Sequence, residues 1–197
     1  MRAETIRHHA LNVASQVAPL LMPVVVAWLV GPAENAAFYA AWMVLFVIAM
    51  VPSALTTVLY SVGIKDRASI SKRTRTTLLL SALTTLGAIV GFAVFGDLVL
   101  AKFRPDYPGL MHGSTSLLGF GLIGIGIKCH YIAAMRLSGE QWAGARLLAA
   151  ASLLELALAG LGGTWFGLIG LIAGWLVGQL ATALPMVPAI AKLLGRR

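Results

Sequence analysis

The chain has 197 residues, of which 59% are hydrophobic and 11% charged, with a mean hydropathy of +0.87 and a formal net charge of +8. A soluble domain averages about 45–50% apolar and about 25% charged residues, so this composition excludes an ordinary soluble domain and favours an integral membrane protein. The basic residues cluster at the ends of apolar segments, as in membrane proteins, so we expect no nucleic-acid partner. A single cysteine excludes an internal disulfide and a multi-cysteine zinc site.

Six apolar segments are long enough to cross a hydrocarbon core of about 30 Å, which requires roughly 20 helical residues. The first segment exceeds the 7–15-residue core of a signal peptide, so we expect it to be a retained helix. In chain order, the predicted helices cover residues 10–30, 36–60, 75–95, 114–135, 144–163 and 167–191. The expected fold is therefore all-α, a single six-helix transmembrane bundle over residues 1–197.

The basic residues are distributed unequally between the two predicted sides of the membrane. Most of the 15 Lys and Arg residues fall on the side that holds both termini: Arg2, Arg7, Lys65, Arg67, Lys72, Arg73, Arg75, Arg136, Arg146, Lys192, Arg196 and Arg197. The opposite side has Lys102 and Arg104, while Lys128 lies within a span. Because positively charged connections stay in the cytoplasm, we predict cytoplasmic termini and a multi-pass protein of the cytoplasmic membrane.

Two connections are longer than the others. Residues 66–77, DRASISKRTRTT, are predicted to begin as an amphipathic helix on the inner leaflet or, more simply, to act as a positive anchor. Residues 96–113 form the predicted outer loop, which contains the turn-forming sequence Pro-Asp-Tyr-Pro.

Charged residues inside two neighbouring spans are the main candidates for a functional site. Counting from Arg136 and Arg146 at the membrane surface, Lys128 and Glu155 lie roughly 12 and 13 Å deep, at 1.5 Å per residue. Gln16 joins the same layer from the first helix. Polar side chains from three helices at one depth predict the lining of a hydrated cavity.

The same first helix adds Asn12 to this predicted substrate cavity. Two other interpretations of the charges remain open: a purely structural Lys128–Glu155 pair, or a Lys128 side chain that extends to the headgroups. His130 and Tyr131 are expected at the membrane interface. No spacing of residues indicates a catalytic site, a metal site or a cofactor, so we do not expect an enzyme.

Glycines recur every fourth residue in the last predicted helix, at Gly170, Gly174 and Gly178. This spacing places them on one helix face and permits close approach of another helix. We expect tight packing within the bundle, and a dimer interface is the alternative.

Three segments carry a resemblance to a known family. They are residues 17–63, with LVGP, FYAAWM and VPSALTTVLY; residues 103–109, FRPDYPG; and residues 166–180, FGLIGLIAGWLVGQL. In this order they resemble the lipid-linked oligosaccharide and polysaccharide flippases of the multidrug/oligosaccharidyl-lipid/polysaccharide superfamily. The resemblance covers nearly the whole chain, but it corresponds to the second six-helix lobe of that family alone.

The resemblance implies a transporter lobe that moves an anionic lipid-linked sugar across the membrane by alternating access. It also implies that the other lobe comes from a separate chain or from a second copy, unless the chain is a fragment. Lys128 fits the cationic cavity of the family. Two alternatives stay open: a cation-coupled exporter of the same superfamily, with Glu155 as the ion site, or a membrane scaffold subunit of a glycan-synthesis complex.

Overall fold

The computed structural model describes the backbone of residues 2–195 and the side chains of residues 5–195. Its helices are α1 (Arg2–Leu29), α2 (Pro32–Lys65), α3 (Ile70–Phe103), α4 (Tyr107–Leu110), α5 (Thr115–Ser138), α6 (Gln141–Ala183) and α7 (Val187–Leu194), with a 3₁₀ turn at Leu184–Met186. The prediction of an all-α polytopic membrane protein is confirmed. The predicted anchors Arg196 and Arg197, and the side chain of Arg2, lie outside the described residues.

Five continuous helical segments are long and apolar enough to cross a membrane, and the last of them doubles back. That segment, Gln141–Leu194, has 54 residues, or about 81 Å at 1.5 Å per residue, far more than the roughly 30 Å of a hydrocarbon core. It bends at Phe166 and at Gly167, where φ is +60° and ψ is −145°. Only glycine adopts such a conformation without strain. The predicted fifth and sixth spans are thus two arms of one helical hairpin.

The two arms of α6, residues 141–165 and 168–183, are in direct backbone contact. A Cβ atom added to Gly170 or Gly174 would overlap the carbonyl oxygen of Gly162 or Leu158, respectively, and one added to Gly178 would lie 2.9 Å from the Cα of Glu155. The glycine face predicted from the four-residue spacing therefore packs inside the chain, against the first arm of the same hairpin.

One end of the bundle collects both described chain ends and two connections, and we call it the basic end. Here Ser71 at the start of α3 donates a 2.7 Å hydrogen bond to the carbonyl of Leu194, and the rings of His8 and Tyr60 lie 6.1 Å apart. The opposite end, called the far end, holds the α1–α2 connection, α4 and the bend at Gly167. Because both described chain ends lie at the basic end, the chain crosses the bundle an even number of times.

Both long connections are shorter than predicted. The third helix, predicted over residues 75–95, extends by five residues at its start, 70–74, and by eight at its end, 96–103. The basic residues that suggested a loop lie on exposed positions of that helix, at Lys72, Arg73 and Arg75. A helix that extends beyond the hydrocarbon core carries charges at its ends, so the basic residues do not show where the α2–α3 connection ends and α3 begins. Residues 70–77 therefore begin a membrane-crossing helix and not an amphipathic helix lying on the inner leaflet, and the alternative of a positively charged anchor stays a prediction.

The far half of the bundle has an apolar core. Its largest fully buried members are Met22 of α1, Phe38 and Leu45 of α2, Leu100 of α3, Met111 after α4, Leu118 and Leu122 of α5, and Trp175 of α6. Long apolar side chains also cover the outer surface, as expected of helices in contact with lipid. The basic half has a smaller core, and a cavity interrupts it.

Candidate functional site: a polar cavity in the basic half

A cavity of about 360 Å³ lies between α1, α2, α5 and α6, and we call it the polar cavity. Its polar lining residues are Asn12, Ser15, Gln16, Ser53, Thr56, Thr57, Lys128, Arg136, Ser152, Glu155 and Gln179. The four residues predicted from the sequence, Lys128, Glu155, Gln16 and Asn12, all belong to this lining. A polar cavity of this size is large enough to hold several water molecules with hydrogen bonds to its lining groups.

An ion pair joins α5 and α6 across the cavity. The Nζ atom of Lys128 donates a hydrogen bond to Oε1 of Glu155, and the hydroxyl of Thr182 donates a second one to the same oxygen at 3.1 Å. The Lys128 side chain is 15% exposed and that of Glu155 1%. The ammonium of Lys128 therefore points at the carboxylate of Glu155 and does not extend to the headgroups. An unpaired charge at this depth would cost several kcal/mol, so each partner makes the other tolerable.

Glycines of α5 set the distance between α5 and the second arm of α6. A Cβ at Gly121 would overlap the indole ring of Trp175, and one at Gly124 would lie 2.5 Å from Oε1 of Gln179. Gly124 lies four residues before Lys128, on the same helix face. Because these two glycines have no side chain, Trp175 and Gln179 can pack against α5 and form part of the cavity wall.

Arg136, predicted from the sequence to lie only at the membrane surface, is a second cation of the cavity. Its guanidinium donates a hydrogen bond to the side-chain oxygen of Asn12 and lies 5.7 Å from the centre of the Tyr60 ring. Within residues 5–195 it has no acidic partner closer than 4 Å. Lys128 and Arg136 are eight positions apart, which corresponds to about 12 Å along α5, so the cavity has one cation near its mouth and one deeper.

Aromatic rings close the cavity toward the far end. Trp42 and Trp175 pack edge to face with ring centres 4.8 Å apart, and Phe38 and Phe46 flank Trp42 at 5.0 and 5.2 Å. Aromatic pairs at such distances stabilise one another beyond simple burial. The polar lining therefore ends at an apolar aromatic layer before the far half of the bundle.

The first helix is held against this layer by an unusual hydrogen bond. Pro23 has no N–H, so the carbonyl of Pro19 lacks its normal donor within α1. The indole N–H of Trp42 donates to that carbonyl at 3.3 Å. The Ser152 hydroxyl also bonds α1, at the carbonyl of Ala14, at 3.1 Å. These contacts fix the α1 wall that carries Asn12 and Gln16.

The remaining predicted features fall outside the cavity. His130 and Tyr131, expected at the interface, are buried instead, at 1% and 4% exposure. The His130 ring bonds the carbonyl of Gly126 and the hydroxyl of Thr77 and so joins α5 to α3. Among the described residues, no group of three or more His, Cys, Asp and Glu side chains could hold a metal ion.

Comparison with models of protein families, with curated proteins and with solved structures found no match for the chain. The function is therefore inferred from the geometry of the polar cavity.

Proposed function

We propose that the chain is one lobe of a membrane transporter that moves a lipid-linked oligosaccharide or polysaccharide precursor across the cytoplasmic membrane. The observation that carries the proposal is a polar cavity with two cations and one carboxylate, built into a bundle of apolar helices. The family resemblance of the sequence supports the same substrate class.

The charge of the cavity favours an anion. Lys128 and Arg136 contribute two positive charges and Glu155 one negative charge, which leaves the lining with an excess of one positive charge. Arg136 has its planar guanidinium free of carboxylates in the described part of the chain, and guanidinium groups bind phosphate through paired hydrogen bonds. The phosphate groups of a lipid-linked sugar match this lining.

The position of the cavity suits a substrate that remains attached to lipid. Gln16 of α1 and Ser53 and Thr57 of α2 line the cavity and are exposed at the surface of the bundle. The Thr57 hydroxyl bonds the carbonyl of Ser53, but an exposed amide such as that of Gln16 would be costly against lipid. In the proposal these three side chains line a lateral opening through which the headgroup enters while its lipid chain stays in the bilayer.

Alternating access requires a second wall, because one bundle cannot cover its own open side. A second lobe, from a separate chain or from a second copy in a homodimer, would rock against this one and expose the cavity to each side in turn. The lobe would carry out translocation without acting as an enzyme and without a cofactor.

The rival functions have less support. A cation-coupled exporter needs a carboxylate available to a cation, but Glu155 is already paired with Lys128, whose ammonium would repel a second cation at the same carboxylate. A scaffold subunit of a glycan-synthesis complex needs no charged groups in mid-membrane, and such groups are costly unless they have a role.

Translocation of an undecaprenyl-linked sugar into reconstituted vesicles tests the proposal, with the chain alone and with any copurifying partner chain. The double variant Lys128→Met/Glu155→Gln removes both charges and keeps the side-chain volumes, and it should reduce translocation at least about tenfold. Lys102→Met removes one positive charge from an exposed site near the far end and serves as the control. Wild-type rates in the double variant would contradict the proposed role of the cavity.

A further inference from the structure

Three tryptophan side chains project from the outer surface of the bundle, and we call them the exposed tryptophans. Trp28 in the last turn of α1 is 84% exposed, Trp142 at the start of α6 is 49% exposed, and Trp165 at the end of its first arm is 73% exposed. None of their N–H groups donates a hydrogen bond to a residue between 5 and 195. Lipid chains offer no acceptor for an indole N–H, whereas the headgroup layer does.

The exposed tryptophans lie at the two ends of the bundle. Trp28 and Trp165 lie at the far end, one beside the α1–α2 connection and the other beside the bend of α6, and Trp142 lies at the basic end. The other two of the five tryptophans, Trp42 and Trp175, are buried in the interior. Every exposed indole therefore occupies an end of the bundle, as in the aromatic belts of membrane proteins.

The spacing of these side chains matches the thickness of a bilayer. Trp142 and Trp165 lie 23 positions apart on one helical arm, which corresponds to about 35 Å. On α1, Trp28 lies 21 positions after Arg7, or about 32 Å, and no Asp, Glu, Lys or Arg lies between them. A hydrocarbon core of about 30 Å fits between the members of either pair. Arg146, exposed one turn from Trp142, has a side chain long enough to reach the same headgroup layer.

We propose that Trp28, Trp142 and Trp165 lie in the two headgroup layers of the bilayer, donate hydrogen bonds there and fix the depth of the bundle in the membrane. Glu155 is 13 positions from Trp142 and 10 from Trp165, or about 20 and 15 Å along the helix. The Lys128–Glu155 pair then lies near the centre of the bilayer. This placement is independent of any transported substrate, because it depends only on the lipid-facing surface.

The polar cavity then reaches from one surface of the membrane to its centre. Arg136 lies about 12 Å from Lys128 along α5, toward the basic headgroup layer. Beyond the ion pair, the packed rings of Trp42 and Trp175 and the apolar core of the far half fill the remaining distance. An anion bound beside Lys128 would therefore have crossed half of the hydrocarbon core.

Fluorescence quenching by brominated phosphatidylcholine in reconstituted vesicles measures the depth of each exposed tryptophan. The reference variant Trp28→Phe/Trp142→Phe/Trp165→Phe retains only the buried Trp42 and Trp175, and its quenching is subtracted. Three further variants each keep one exposed tryptophan. Bromine near the headgroup should quench each of the three at least about twofold more than bromine near the chain end, because an interfacial indole lies beside the headgroups.

Leu153→Trp in the reference variant is the matched control for the bilayer centre. Leu153 is exposed, almost halfway between positions 142 and 165, and two residues before Glu155. The indole placed there should show the opposite order, with at least about twofold more quenching by bromine near the chain end. The single variant Trp165→Phe tests the far layer even where the triple variant does not fold, since it should lower quenching by bromine near the headgroup more than quenching by bromine near the chain end.

The outcomes separate this placement from the proposed function. Stronger quenching of any exposed tryptophan by bromine near the chain end would overturn the placement, because that indole would then lie within the hydrocarbon core. The same order of quenching at position 153 as at positions 142 and 165 would overturn it as well. Either result would leave anion binding in the polar cavity untouched, since the assay contains no anionic substrate.

Discussion

Two cavities of nearly equal volume lie against different faces of α2. The polar cavity measures about 360 Å³, and an apolar groove of about 370 Å³ lies between α2 and α3. The groove is lined by Ala41, Val44, Ile48, Thr84, Gly87, Ala88, Gly91, Phe92, Phe95, Gly96, Val99 and Leu100. Volume therefore does not distinguish a candidate functional site from a gap between lipid-facing helices; the placement of charge does.

The largest expected effect comes from breaking the ion pair of the polar cavity. Lys128→Met leaves the carboxylate of Glu155 buried without its cation and should destabilise the protein by about 3–5 kcal/mol. The measurement is the midpoint of thermal unfolding in detergent. Lys128→Met/Glu155→Gln should recover most of the loss, because neither charge then remains. A double variant as unstable as the single one would show that the pair is not the cause.

This pair could be located from the sequence, whereas much of its surroundings could not. Helical rise is constant, so counting from Arg136 and Arg146 placed Lys128 and Glu155 at one depth on consecutive antiparallel helices. Gln16 could be assigned to that layer by the same count. Such counting gives depth along a helix axis and says nothing of which faces meet.

The residues that the sequence analysis missed are those brought in by packing between distant segments. Arg136 was predicted at the membrane surface, but its hydrogen bond to Asn12 directs its guanidinium toward the cavity. Gln179 and Trp175 enter because Gly124 and Gly121 leave room on α5. A polar Gln179 in an apolar span was the available signal, and the bend at Gly167 decides which face it presents.

A second prediction concerns the hairpin that carries Glu155 beside the second arm of α6. Gly174→Ala places a Cβ against the carbonyl oxygen of Leu158, and a rigid backbone cannot move aside easily, so we expect a loss of about 1–3 kcal/mol in stability. Gly160→Ala is the matched control, since its Cβ would meet nothing within 4 Å. Its unfolding midpoint should rise, because alanine favours the helix. Equal midpoints for the two variants would contradict the close contact between the arms.

A smaller effect is expected at the aromatic layer beneath the polar cavity. Trp42→Phe keeps one aromatic ring but removes the N–H that bonds the carbonyl of Pro19 and leaves a gap at a site that is 4% exposed, which together should cost about 1–2 kcal/mol. Trp28→Phe, at a site that is 84% exposed, provides the control and should leave thermal unfolding unchanged. The idea that Trp42 fastens α1 fails if both substitutions have the same effect.

The smallest effect is expected in the apolar groove, and it has the opposite sign. A Cβ at Gly91 would meet nothing within 4 Å, so Gly91→Ala should raise stability by at most about 1 kcal/mol through helix propensity. Translocation should remain at the wild-type rate. A loss of translocation in this variant would remove the functional distinction between the groove and the polar cavity.

The central claim is that the polar cavity is open to water and attracts anions. Gln16→Cys in a Cys129→Ala background places one thiol in its lining, and Leu20→Cys, one turn along α1 at an exposed site outside the lining, is the control. The measurement is the modification rate by an anionic and by a cationic methanethiosulfonate, each divided by its rate with a free thiol. Position 16 should react faster with the anionic reagent, and position 20 should react with neither. Faster reaction with the cationic reagent, or equal rates at both positions, would contradict the account.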